Sequence, residues 1–316
     1  ELVRTLSRNS SFGLRRVVAS EAAFSWLLTT ADGFVAAHSD TTITIFAEIA
    51  VPSGVWREMV LVPDHARFDV EAVAEQISNR VVLMGSPARA QSGMWDTIFH
   101  PEVTAHVLAA FVPLFLARPA DSDPLPRLLN REGYLTSPAL SVVDDRASPG
   151  LPLSGPCDGE GLPAARISLL EHGVPRHRLA SYRDATLCAE MPRGGALRVS
   201  YRDYPRTGAA NLVIATDQGA APRELLASAP RALYLLRPLA PLAIDFGDDS
   251  FRLIATGVWL DHLKVSGWAP AVELRGSVGQ LLRRVEGVGV DRCWFQTEHG
   301  LVAAPSMLVR HQHVAG

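Results

Sequence analysis

Residues 141–163 read SVVDDRASPGLPLSGPCDGEGLP. A β-type run ends in two aspartates, Asp144 and Asp145. Eighteen residues without periodicity follow, rich in Gly and Pro, and a hairpin pattern begins only at Ala164. Unpatterned segments of this length are uncommon inside compact domains, and those that occur are often functional. Any fold open to this chain has to place regular elements on both sides of that loop.

The chain has room for this. Its 316 residues, 47% hydrophobic, can bury a sizeable core, and that length suits two domains. A net charge of −3 gives no electrostatic case for nucleic acid. Cys157, Cys188 and Cys293 share no metal-ligand spacing, and so sparse and odd a set reads as a reducing cytoplasm. The longest apolar run, 107–117, is interrupted by Pro113 and falls short of the roughly 20 residues of a membrane span, so it reads as a buried helix. The start of the chain shows no signal-peptide pattern.

Taken in order, residues 24–30 and 34–51 read as strands joined by the hairpin signal Ala31-Asp32-Gly33. Residues 68–84 read as a helix with Asp69 at its N-cap and Val70, Val73, Ala74 and Ile77 as its apolar stripe. The polar linker 85–93 marks a boundary between an N-terminal α/β domain, 1–88, and a larger domain, 89–316. There, 94–99 reads as a strand. His100-Pro101 opens a helix expected to run to about 117 with a kink at Pro113. A short helix is expected near 126–131. Residues 164–170 and 176–180 form a hairpin pattern around Glu171-His172-Gly173. Beyond it, 181–191, 222–229 and 277–286 read as helices. The segments 211–216, 232–237, 243–246, 251–259 and 301–309 read as strands. Strands outnumber helices without βα alternation, which predicts an α+β fold with largely antiparallel sheet.

A family resemblance rests on particular residues. Asp144-Asp145, Ser154-Gly155 and Cys157-Asp158-Gly159-Glu160-Gly161-Leu162-Pro163 resemble the "DD…GS…fDdEGvp" signature of the TldD/PmbA family. In the same order come the Thr-rich Asp40-Thr41-Thr42-Ile43-Thr44, the run Ile167 to Val174, Gly247-Asp248-Asp249-Ser250-Phe251, Gly257-Val258-Trp259 and the ending Ala304-Pro305-Ser306 to Gly316. The resemblance implies a shortened N-terminal domain before a β-rich domain of TldD/PmbA type. It also implies a zinc-dependent peptidase of two related chains. The TldD kind carries HExxxH on a helix, with a cysteine further on as a zinc ligand; the TldE (PmbA) kind lacks the motif and pairs with TldD.

The corresponding helix here begins His100-Pro101-Glu102-Val103-Thr104-Ala105-His106. Proline stands where the glutamate belongs, and the second histidine comes six residues on rather than five. At about 100° per residue, His100 and His106 lie roughly 240° apart around a helix and do not converge on one ion. Glu102 and His106 share a face, but a catalytic zinc takes three protein ligands and a water. Cys293 lies in Asp291-Arg292-Cys293-Trp294-Phe295, without the family's CGK-like context, and reads as a small buried hydrophobe.

The expectation is a TldE-like subunit with no catalytic residue and no cofactor of its own. Glu102 and His106 are the subsidiary catalytic candidates; His100, His106 and Cys293 are the subsidiary metal candidates. Zinc would sit in a TldD-like, HExxxH-bearing partner. The substrate would be a peptide or an amide, as in peptide processing or natural-product maturation, with no nucleic acid and no membrane involved. Asp144, Asp145, Ser154, Asp158, Glu160 and Gly161 are the candidates for a cleft shared with substrate or partner. Their simpler role is to cap turns in a long ordered loop. A self-sufficient divergent hydrolase and a non-enzymatic binding homologue are the alternatives.

Overall fold

A computed structural model describes residues 2–7, 13–52, 54–63, 68–89, 91–188, 191, 194–198 and 200–316. The N-terminal part begins with a short helix α1 (Leu2–Ser7). Two long strands follow, β1 (Gly13–Thr29) and β2 (Val35–Val51), then β3 (Gly54–Val62) and helix α2 (Val70–Val81). β1 and β2 pair from Gly13↔Ala50 to Thr29↔Val35 around the predicted turn, where Gly33 has φ +91°. Alternation along β2 turns Ile43, Ile45, Ala47 and Ile49 inward, and β3 adds Trp56, Val60 and Val62. α2 lays Val73, Ala74, Ile77 and Val81 on that face. Its N-cap is Asp69, whose carboxylate accepts the N–H groups of Glu71 and Ala72.

The second part opens with β4 (Gly93–Phe99) and helix α3 (Pro101–Ala110). The helix stops earlier than the sequence suggests. Pro113 has no N–H to offer Ala109, and the chain tightens into a 3₁₀ turn, Val112–Phe115. Next come α4 (Leu125–Leu128), β5 (Val142–Asp145), and β6 (Arg166–Glu171) and β7 (Val174–Pro175), joined by a tight turn with positive φ at His172 and Gly173. Helix α5 (Tyr182–Cys188), the small pair β8 (Ala196–Leu197) and β9 (Arg206–Thr207), β10 (Asn211–Ile214) and α6 (Pro222–Ala227) follow. The remainder is β11 (Arg231–Pro238), β12 (Ala243–Asp245), β13 (Ser250–Asp261), β14 (Lys264–Ser277), α7 (Val278–Arg283), β15 (Val285–Val288), β16 (Cys293–Thr297), β17 (Gly300–Ala304) and β18 (Met307–Ala315).

These strands form two main sheets. The first runs β1-β2-β3-β16-β17-β10-β5-β6-β7, so the N-terminal hairpin continues into the second part through the Leu61–Trp294 pair of β3 and β16. The second sheet closes on itself. β11 pairs with β4, β4 with β18, β18 with β14, β14 with β13, and β13 with β11 again. Among the described residues, only β10–β17 and β11–β4 are parallel in the strand pairings of these two sheets. The fold is therefore α+β with largely antiparallel sheet, as expected.

The sequence reading assigns no strand to 54–62, 264–277 or 293–297. In β14 the obstacle is Pro270. It falls where Ala255↔Val272 gives way to Gly257↔Ala269, a bulge that spares the missing N–H. The single predicted strand 301–309 is two strands. Pro305 breaks the ladder and the chain crosses from the first sheet to the second. The predicted helix 277–286 ends at Arg283, and 285–288 is strand.

α3 fills the main core with Val103, Ala105, Val107 and Leu108, packed among Leu233, Leu235, Trp259 and Val302. A second core joins the two parts: α2 lies between the N-terminal sheet and the barrel residues Leu236, Val258 and Leu260. The start of α3 is aimed at that junction.

Candidate functional site

His100 is the N-cap of α3. Its Nδ1 accepts the Glu102 N–H at 3.1 Å, and Pro101 occupies the first helical position, where a missing N–H costs nothing. Burial, reinforced by the Arg80 and Arg237 charges, holds its pKa well below the ordinary 6.5, so the ring is neutral at neutral pH. His106 is half-buried. Burial lowers its pKa too, against the opposing pull of Glu102 and Glu298.

Glu102 is held by two arginines. Arg237 of β11 reaches it through Nε at 2.9 Å and Nη2 at 3.2 Å, and Arg80 of α2 bonds it through Nη2. Both arginines also bind Glu58 of β3: Arg80 Nη1 at 2.6 Å and Arg237 Nη2 at 3.0 Å. The Trp56 indole donates to Glu58 at 2.7 Å, and the two guanidiniums lie over its ring at 5.3 and 4.1 Å. Arg80 further donates to the Leu236 carbonyl, and Arg237 to that of Arg57. Two carboxylates and two guanidiniums thus form a neutral quartet, with Glu58 and Arg80 essentially without solvent. Burial alone would push the Glu102 carboxyl up. The two arginines outweigh it, and its pKa lies below the ordinary 4.5. A carboxylate so engaged is ionised, and three guanidinium contacts take up most of its acceptor capacity.

Beside the quartet, the Ser306 hydroxyl donates to Asp291 at 2.6 Å, and the same carboxylate accepts the Ser306 N–H at 3.0 Å. Half-buried Tyr234 has its phenol pKa raised chiefly by burial, with the Asp291 charge adding to it. Cys293 makes a weak contact to the Asp291 carbonyl at 3.6 Å, and burial pushes its thiol up to about 12. This donor set does not fit zinc. Two guanidiniums already engage Glu102, and His100 spends its Nδ1 on the Glu102 N–H. No group of three or more His, Cys, Asp or Glu among the described residues is placed to hold a metal ion.

Sequence reasoning missed Glu58, Arg80 and Arg237, yet a signal existed for the first two. In β3, Trp56, Glu58, Val60 and Val62 share the inward face by alternation. In α2, Arg80 sits one turn after Ile77 on the buried stripe. A lone opposite charge on each of two apolar faces is a pattern that asks for pairing.

The central loop is tied down by its acids. Asp144 is fully buried at the end of β5 and accepts the N–H groups of Ala210 and Asn211 at 2.9 and 2.8 Å. Burial raises its pKa, against Arg146 and those two bonds. Asp145 accepts from Ala147, from Ser148 and from the Ser148 hydroxyl, at 3.1, 2.9 and 2.7 Å. Asp158 takes the N–H groups of Glu160, Leu162 and Ala196. Glu160 accepts from the Tyr182 N–H at the start of α5. The buried Ser154 bonds back to the Leu151 carbonyl. The loop lies against the far end of the β1–β2 hairpin. A Cβ at Gly155 would stand 3.1 Å from the Trp26 ring, and one at Gly161 (φ +89°) 3.4 Å from Phe34. So four of the six cleft candidates, Asp144, Asp145, Ser154 and Asp158, are buried and bonded within the protein, while Glu160 and Gly161 are half-buried.

Fold and site together define a mixed α+β protein, mostly stranded, with a buried ionic quartet between its two parts. A family model, the PmbA/TldA metallopeptidase C-terminal domain, matches residues 92–316, and the chain belongs to that family. Its fold is that of TldE from Thermococcus kodakarensis, with a TM-score of 0.87 at 15% identity over 100% of this chain and 72% of the other. Among curated proteins it is similar to a metalloprotease of Methanothermobacter thermautotrophicus, 26% identical over 71% of this chain and 49% of the relative. It is also similar to a metalloprotease of Synechocystis, 27% identical over 57% and 40%. The chain thus spans about half or less of the length of these curated relatives.

Proposed function

We propose that this chain is the TldE-like, zinc-free subunit of a two-chain hydrolase that cleaves peptide or amide bonds. A TldD-like partner with intact HExxxH would supply the zinc, the general base and the attacking water. The observation that carries this reading is the quartet: Glu102, in the helix where the related motif would hold its base, is tied to Arg80 and Arg237. The same contacts oppose a cation at that position, and the likeness to TldE agrees with a pairing role. Peptide processing and natural-product maturation are the substrate classes we favour, in the cytoplasm, where Cys157, Cys188 and Cys293 would stay as the free thiols they are here.

The test is metal content and hydrolysis, measured on this chain alone and on the chain co-expressed with an HExxxH-bearing partner. The reading expects about one zinc per heterodimer, none bound by this chain alone, and hydrolysis only in the mixture. Stoichiometric zinc in the single chain, lost in His100→Ala or His106→Ala, would overturn it.

A further inference from the structure

The Gly247-Asp248-Asp249-Ser250-Phe251 motif has no part in the quartet or the central loop. It turns the chain between β12 and β13, with Asp249 at φ +50°. The Asp249 carboxylate accepts the Gly279 N–H at 2.9 Å and bonds the Ser277 hydroxyl, which fixes the first turn of α7. Beside it is a cavity of about 350 Å³, lined by Arg127 to Arg131, Asp249, Gly279 and Arg283.

The walls of this cavity are short of acceptors and rich in donors. Asn130 Oδ1 is used on the N–H groups of Glu132 and Tyr134, at 2.9 and 2.8 Å, which leaves its NH₂ to donate. Arg283 spends Nη1 on the Leu128 carbonyl at 3.1 Å, and the rest of its guanidinium lies over Gly279. Arg127, Arg131 and Arg283 are exposed, and none forms an ion pair with an acid among the described residues. Asp249 is the one acid in the wall, and both of its oxygens are taken. Three arginines against one carboxylate leave two positive charges.

We infer that this cavity binds the phosphate group of a small phosphorylated molecule. A phosphate monoester carries about −1.5 to −2 at neutral pH and offers three strong acceptor oxygens. Guanidinium forks match those oxygens in pairs. The volume exceeds what one phosphate fills and lies at the small end of the ligand-pocket range, so the site takes a compact organic body as well.

The experiment is titration calorimetry on the full chain at constant ionic strength, with glycerol phosphate, inorganic phosphate and sulfate as probes. Saturable one-to-one binding of glycerol phosphate is expected, tighter than that of either inorganic anion. Arg127→Ser and Arg131→Ser should each weaken it about tenfold, the typical effect of losing one charge-assisted contact. Gly279→Ala changes no charge, yet its Cβ would stand 2.7 Å from Arg283 Nη2 and displace that guanidinium, so it too should weaken binding. Arg252→Ser, at an exposed pair with Glu273, should leave binding unchanged. The inference is overturned by any of three results: no saturable binding of glycerol phosphate, equal affinity for sulfate, or binding that survives all three cavity substitutions in variants whose urea unfolding matches the parent.

Discussion

Replacing Arg80 with methionine tests whether the quartet joins the two parts of the molecule. The change keeps most of the aliphatic stem and removes the guanidinium. Arg80 is 1% exposed in its side chain and contacts both carboxylates, Glu58 at 2.6 Å. Removing one partner of a buried ion pair costs about 3–5 kcal/mol, because a buried charge loses its compensation. Here Arg237 stays within 3.0 Å of Glu58 and 2.9 Å of Glu102, so the lower end, about 3 kcal/mol, applies. The quartet then carries a net charge of −1. Adding Glu58→Gln restores neutrality and keeps an acceptor for the Trp56 indole, so the double variant should be more stable than the two single losses predict, by about 1–3 kcal/mol. Equilibrium urea unfolding of the four proteins, followed by tryptophan fluorescence, gives the cycle. Acid titration adds an independent check. The Glu102 pKa is depressed in the folded chain, so its contribution is present above pH about 4.5 and is lost as pH falls through the lower folded value. In Arg80→Met that loss should begin at higher pH. A single-variant effect below about 1 kcal/mol, or strict additivity in the cycle, would refute the reasoning.

Two further outcomes follow from single side chains. The His100 pKa is depressed in the folded chain, so folding sheds a proton below the ordinary 6.5 and stability should fall as pH drops beneath that value; His100→Asn, which keeps an acceptor for the Glu102 N–H, should flatten the limb in urea unfolding measured between about pH 7 and 5. Asp144→Ala would strand the Ala210 and Asn211 N–H groups and leave Arg146 without its 3.7 Å partner, which predicts a loss of about 2–5 kcal/mol by the same method, whereas Asp144→Asn should cost less because one oxygen still accepts both N–H groups.

How much was legible in the chain depended on whether the signal was local. The Asp69 cap, the Ala31-Asp32-Gly33 turn and the start of α3 at His100-Pro101 were readable because each lies within a few residues of the backbone groups it serves. The turn-capping role of Asp145 and Asp158 was legible for the same reason, since most of their partners are two to four residues on. The strand 264–277 was hidden because Pro270 looks like a breaker until the bulge opposite Thr256 is seen. The single run at 301–309 concealed a change of sheet at Pro305, which periodicity cannot report because both halves are β.

By itself, then, the sequence determined the class of fold, the ordered loop and the absence of a working HExxxH spacing. All of these are written in residue types at short range. The tertiary structure alone decided that Glu58, Arg80, Glu102 and Arg237 meet. They are contributed by β3, α2, α3 and β11, and only the packing of α2 between the N-terminal sheet and the barrel brings them together. A buried charge can be suspected from its place in an apolar stripe, but its partner is chosen by the fold, because ionic pairing depends on distance through space and the chain fixes only distance along itself.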